Sequence, residues 1–200
     1  LDSLNNYIKY CINSESEPVI TNIALRGGSF TSADTIYHNA DEINILAHFE
    51  KDKGYVNNLV IKEDIEKEIS EFLRLRLLGC IDLDEFEKKG YLIEYNPLDL
   101  KVGTVIGRED VTATVSYPIT LVGDELTLKT RDFTKKVKKP FGILYDLSVD
   151  IVNSEIKQGY FNKDNFMVKY PMINIIKKKP YPDLVYSLKK DNFIFNFAIK

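Results

Sequence analysis

Val111-Thr112-Ala113-Thr114-Val115-Ser116-Tyr117-Pro118-Ile119-Thr120-Leu121 places an apolar residue at every odd position. A period of two belongs to a strand with one face in a core and one toward water, the pattern of an antiparallel sheet. The turn Gly107-Arg108-Glu109-Asp110 before it and Gly123-Asp124 after it predict strand neighbours. Upstream these are 91–95 and 98–106; downstream they run from Leu126-Thr127-Leu128 to Val137. Pro140 then opens a helix whose Phe141, Leu144, Tyr145, Ser148, Ile151 and Val152 form an inward face, expected to lie against that sheet.

Further along, Met172 to Ile176, Leu184 to Leu188 and Phe193 to Ile199 read as a second strand group, with Phe193, Phe195, Phe197 and Ile199 on one face. Toward the N-terminus, Ile61, Ile65, Ile69, Phe72 and Leu73 mark a helix over 62–78 with acids early and Arg74 and Arg76 late, matching its dipole. Gly79 is expected to end it, and a short acidic helix, Leu83 to Lys88, follows and closes at Gly90. Ile43 to Phe49 reads as a strand turning at Asp52-Lys53-Gly54, with 29–42 irregular.

Leu4, Tyr7, Ile8, Cys11 and Ile12 give the first helix its apolar stripe. Ser16-Glu17-Pro18 reads as a cap before a second helical stretch through Val19, Ile20, Ile23 and Ala24, which stops at Gly27-Gly28. The predicted class is α+β: antiparallel sheets with amphipathic helices on one face and a long N-terminal helix. One domain over 1–200 is expected, with a sub-division near 158–200.

Composition limits the chemistry. The net charge of −3 predicts no general grip on nucleic acid. It conceals an asymmetry: residues 1–100 hold 10 basic and 19 acidic residues, while 101–200 hold 17 and 11. Segregated charge suits a solvated surface, and it also suits head-to-tail contact with another copy or a neighbouring subunit. His38 and His48 have no partner at ligand spacing, and Asp82-x-Asp84-Glu85-x-Glu87 lacks the glycine and final glutamate of a calcium loop, so no metal is expected. Gly103-x-x-x-Gly107 lacks the lysine and hydroxyl of a phosphate loop. No nucleophile elbow or Ser/His/Asp spacing occurs, so no catalytic residue and no cofactor are predicted.

Cys11 and Cys80 each stand on or just after the apolar side of a helix, so a bridge would tie the first helix to the end of the third helical stretch. The alternative is two buried thiols packed as small hydrophobes. A bridge implies an oxidising compartment. Lys135, Lys136, Lys138 and Lys139, followed by Lys177, Lys178 and Lys179, form the densest positive runs. With Phe133, Phe141 and Tyr181 nearby they suit a polyanion or a protein partner; as lysines at strand ends they also guard against edge pairing.

Short stretches spread along the chain resemble a group of uncharacterised archaeal membrane-anchored surface proteins with a pilin-like N-terminal segment. They are Tyr7-Ile8-Lys9-Tyr10-Cys11-Ile12, Leu25-Arg26-Gly27-Gly28, Gly79-Cys80, Phe86-Glu87-Lys88-Lys89-Gly90, Tyr117-Pro118-Ile119, Ile143-Leu144-Tyr145 with Ile151-Val152, and Phe195-Asn196-Phe197-Ala198. The hydrophobic anchor of that group is missing from the 200 residues, which begin at Leu1 and stop inside a strand pattern. The resemblance implies an extracytoplasmic region whose membrane segment lies upstream, and no catalytic residue to carry over. The expected function is therefore a non-catalytic surface domain meeting protein subunits, another copy of itself among them, in an envelope, appendage or adhesion assembly. The second expectation is a secreted enzyme or ligand-binding domain acting on a cell-surface polymer.

Overall fold

A computed structural model describes residues 2–122, 127–130, 132–179 and 183–200. In chain order the elements are α1 (Asp2–Leu25), β1 (Thr35–His38), β2 (Asp41–Glu50), β3 (Gly54–Asn57), α2 (Lys62–Cys80), α3 (Asp84–Lys88) and β4 (Leu92–Tyr95). After a 3₁₀ turn at Pro97–Asp99 come β5 (Lys101–Ile106), β6 (Val111–Ser116), β7 (Ile119–Val122), β8 (Thr127–Lys129) and β9 (Phe133–Val137). The chain ends with α4 (Phe141–Gln158), α5 (Lys163–Lys169), β10 (Asn174–Lys178), β11 (Leu184–Lys190) and β12 (Phe193–Ile199). The class is α+β with a long N-terminal helix. The expected turn at Gly123-Asp124, Leu126 of the strand after it, and Pro180 and Tyr181 of the basic run lie outside the described residues.

Two compact units interleave along the sequence. Unit 1 takes residues up to Val19, Glu66–Val105 and Thr112–Val137; unit 2 takes Ile20–Ile65, Ile106–Val111 and Lys138–Lys200. The chain crosses between them after Val19, Ile65, Val105, Val111 and Val137. Because each unit draws on both halves of the chain, the charge contrast between halves shrinks to 15 acids against 11 bases in unit 1 and 15 against 16 in unit 2.

In unit 1, Leu4, Ile8, Cys11 and Ile12 of α1 and Leu73 and Leu77 of α2 share a core with Ala113, Val115, Tyr117, Ile119 and Leu121. The alternation over 111–121 holds, since every odd side chain is buried. The single strand expected there is two strands, however. Pro118 offers no N–H to a ladder, so β6 belongs to the sheet β5-β6-β9 and β7 to the sheet β4-β7-β8. Thr130 repairs the break: its Oγ1 accepts from the Ile119 N–H at 3.0 Å and donates to the Tyr117 carbonyl.

α1 is also continuous where a cap was expected, with Pro18 inside it. Ser16 is fully buried on the same four-residue spacing as Ile8, Ile12 and Ile20, so the apolar stripe never breaks. Its hydroxyl turns back to the Ile12 carbonyl at 2.5 Å, and the Ser14 hydroxyl to the Cys11 carbonyl at 3.1 Å. Pro18 itself stands on the exposed side. The stop at Gly27-Gly28 is real: the Gly28 N–H reaches the Ile23 carbonyl at 2.8 Å and the Gly27 N–H the Ala24 carbonyl at 3.1 Å, with Gly27 at φ 82°. Those bonds are the Schellman pattern. Gly79 does not end α2, which runs on to Cys80.

In unit 2 the sheet order is β1-β2-β12-β11-β10, with β3 also on β2. The pairs are antiparallel except β12 with β2, which is parallel. Residues 29–42, expected to be irregular, include β1 and a tight hairpin whose Asn39 and Ala40 both have positive φ. Phe141, Leu144, Ser148, Ile151 and Val152 of α4 are buried as expected, with Tyr145 half-buried, and the helix packs on β11 and β12 of this sheet: Phe141 lies 6.0 Å from Phe193 and 5.6 Å from Phe195 between ring centres. An amphipathic stripe fixes which side turns inward, not what it meets. Gly142 is required there, because a Cβ would stand 2.4 Å from the Gly107 carbonyl oxygen.

Candidate functional site

Cys11 and Cys80 are joined as a disulfide with their Cα atoms 5.8 Å apart. The pairing follows from α1 and α2 presenting both residues to one core. Tyr7, one turn before Cys11, locks the same corner: its hydroxyl donates to the Cys80 carbonyl at 2.7 Å and accepts from the Asp82 N–H at 3.0 Å. Closing a loop of 69 residues stabilises the fold by about 4 kcal/mol in the chain-entropy account.

A row of exposed apolar residues in unit 1 lies on and beside β4, an outer strand of its sheet. Only Ile93 of that strand is buried, while Tyr91, Leu92, Tyr95 and Leu98 face out, Leu98 being 83% exposed. Tyr95 stands edge-on to Tyr117 at 6.3 Å, and burial pushes the Tyr117 phenol above its ordinary value. Acids surround the row, six against two lysines over 82–99. Sequence reasoning assigned strand character here without seeing the exposure, although a run of adjacent apolar residues without alternation was the signal.

The two lysine runs have different surroundings. Lys135 lines, with Lys9, Asn13 and Asp132, a cleft of about 230 Å³ in unit 1. Lys138 and Lys139 belong to unit 2, where Lys139 lies 6.0 Å over the Phe193 ring. Phe141 is fully buried, and Phe133, also buried, lines the floor of the Lys135 cleft. Lys136 of β9 and Lys178 of β10 are exposed, as is Lys179 just beyond.

Lys177 instead turns to Glu155, its Nζ 2.6 Å from Oε1. The Tyr186 hydroxyl donates to that same oxygen. Glu155 and Tyr186 are buried, and Tyr186 stacks on Phe197 at 5.0 Å. Burial, reinforced by the Glu155 carboxylate, pushes the Tyr186 phenol far up. This cluster ties α4 to β10 and β11.

A wider cleft of about 390 Å³ in unit 2 is lined by Arg26, Phe30, Tyr37 and Glu42 among others. Arg26 pairs with Glu42 at 2.6 Å and lies 6.0 Å over Phe30. The Thr35 hydroxyl and then Arg26 hold the Glu42 carboxyl below its ordinary value. Neither histidine lines this cleft or the one at Lys135. His48 bonds Glu50 and Asn58, both at 3.1 Å. Among the described residues no group of three His, Cys, Asp or Glu could hold a metal, and no helix is long and apolar enough to cross a membrane. Compared with family models, curated proteins and solved structures, the chain matches none of them.

Proposed function

We propose that this chain is the extracytoplasmic, non-catalytic part of a membrane-anchored or pilin-like surface protein, working through protein–protein contacts in an envelope, appendage or adhesion assembly. The observation that carries the reading is the Cys11–Cys80 bridge, since disulfides persist outside the reducing cytosol. The exposed row Tyr91, Leu92, Tyr95 and Leu98 supports a contact role, because Tyr and large aliphatics left bare on and beside an outer strand gain by meeting another surface.

The test begins with cells treated with a thiol-blocking reagent before lysis. The protein should appear in the surface fraction with neither cysteine alkylated, and a photo-crosslinker at position 98 should capture an envelope subunit or a second copy. Two alkylated thiols in freshly isolated protein overturn the reading, as does a Leu98→Asp chain that assembles like the unaltered one.

A further inference from the structure

The lysines of the run Lys135-Lys136-x-Lys138-Lys139 do not share one surface. On β9, Lys135 is on the same side as buried Phe133 and Val137 at period two, whereas Lys136 is exposed on the other side. On α1, Lys9, Ile12 and Asn13 follow i, i+3, i+4 spacing and so share one side, with buried Ile12 between two exposed polar residues. These two sides, one from a helix and one from a strand, line a single cleft of about 230 Å³ in unit 1, and Asp132 lines it with them.

No acid neutralises the two ammonium groups: Lys9, Lys135 and Asp132 make no ion pair among the described residues. An inward lysine guards the outer strand β9 against edge pairing, which accounts for Lys135. It does not account for Lys9 on the helix that shares the cleft. Two cations about one cleft repel each other until an anion lies between them.

We propose that this cleft binds one acidic sugar ring, of the uronate class. Its carboxylate lies between the ammonium groups of Lys9 and Lys135, compact charges on stems long enough to close on it. The C–H face of the ring covers Ile12 and Phe133 and leaves water there. Asp132 accepts from ring hydroxyls, and the Asn13 amide both donates and accepts, so neighbouring hydroxyls find partners of either kind. Those two residues separate a sugar acid from a plain aliphatic or aromatic acid, which would use neither. Pockets for drug-sized ligands begin at roughly 300 Å³, so a cleft of about 230 Å³ suits a single ring. The inference does not rest on the assembly reading, which is tested at Leu98, and either can fail without the other.

Titration of the whole chain with galacturonate, followed by amide chemical shifts, tests it. The amides of Lys9, Asn13 and Lys135 should shift and saturate, and galactose, which lacks the carboxylate, should leave them unmoved. Benzoate, which lacks the hydroxyls, should bind about tenfold more weakly. Lys9→Gln and Lys135→Gln, each with an unchanged urea midpoint, should weaken galacturonate binding about tenfold, the low end for a hydrogen bond to a charged group. Lys51→Gln, exposed in the turn after β2, should leave it unchanged. A galacturonate oligomer that binds more tightly than the single acid identifies a polymer as the source of the ring, and one that binds no better identifies the free acid. No saturable shift at those amides, equal binding of galactose or benzoate, or unaltered binding by the Lys9→Gln/Lys135→Gln double variant overturns the proposal.

Discussion

Unit 1 and unit 2 solve the same problem with different chemistry. The largest fully buried side chains of unit 2 are aromatic, Tyr186, Phe141, Phe193, Phe195 and Phe197; those of unit 1 are aliphatic, Leu4, Ile8, Ile12 and Ile69. Unit 2 closes its sheet against α4 through a buried carboxylate with two donors, whereas unit 1, with two three-stranded sheets, fixes α1 to the end of α2 through a covalent bond. The difference is instructive because a small core of branched aliphatics spread over two short sheets leaves few ways to fix α1, and a cross-link supplies one by restricting the unfolded chain.

The sharpest way to break the comparison is Cys11→Ser with Cys80→Ser. The loss should be about 4 kcal/mol in urea unfolding, and hydrogen exchange should show it first in α1 residues before Val19 and in α2 after Ile65. A loss under about 1 kcal/mol would mean that the aliphatic core alone suffices. In unit 2 the counterpart is Glu155→Ala, which leaves the Tyr186 hydroxyl unpaired and Lys177 without its carboxylate. Because Lys177 keeps partial access to water, the cost should be near the lower end for a broken buried pair, about 3 kcal/mol. Exchange in β10 and β11 would report it.

Thr130→Val keeps the shape but removes both bonds across the Pro118 break, orphaning the Ile119 N–H. About 1.5 kcal/mol is expected, measured as a lower urea midpoint with unchanged slope. The smallest effect needs no mutation. The Tyr186 phenol, with an ordinary value of 10.0, is held protonated in the folded state, mainly by burial. Above pH 10 the unfolded chain therefore binds fewer protons than the folded one, and stability falls as pH rises. Tyr145 and Tyr170 of unit 2 shift the same way, so its alkaline loss should exceed that of unit 1, where Tyr117 contributes. Ultraviolet titration of the tyrosines alongside circular dichroism would show it; equal loss in both units would break the contrast.

Much of this was legible from residue order. The odd positions of 111–121, Phe141, Leu144, Ser148, Ile151 and Val152 of α4, and the shared face of Phe193, Phe195 and Phe197 are buried as their spacing demands, with Tyr145 of α4 half-buried. The candidate surfaces were less legible. Lys177 reads as one of three like lysines, yet it alone meets Glu155, because Lys177 sits opposite Tyr186 in the β10–β11 register. α5 was missed: seven residues carry too little periodicity to announce a helix, although Asn162, whose side chain accepts from the Asp164 N–H at 3.0 Å, was a capping signal.

What the sequence determined by itself was local: which side of each element turns inward, where Gly27-Gly28 stops α1, and that Cys11 and Cys80 both belong to apolar faces. Periodicity and backbone sterics act over a few residues, so the order of residues suffices to set them. Only the tertiary structure decided partnership: that Pro118 hands one strand pattern to two sheets, that α4 meets β12, and that Cys11 and Cys80, 69 positions apart, are bonded. Choosing a partner means closing long loops against competing pairings, and packing complementarity across the whole unit makes that choice.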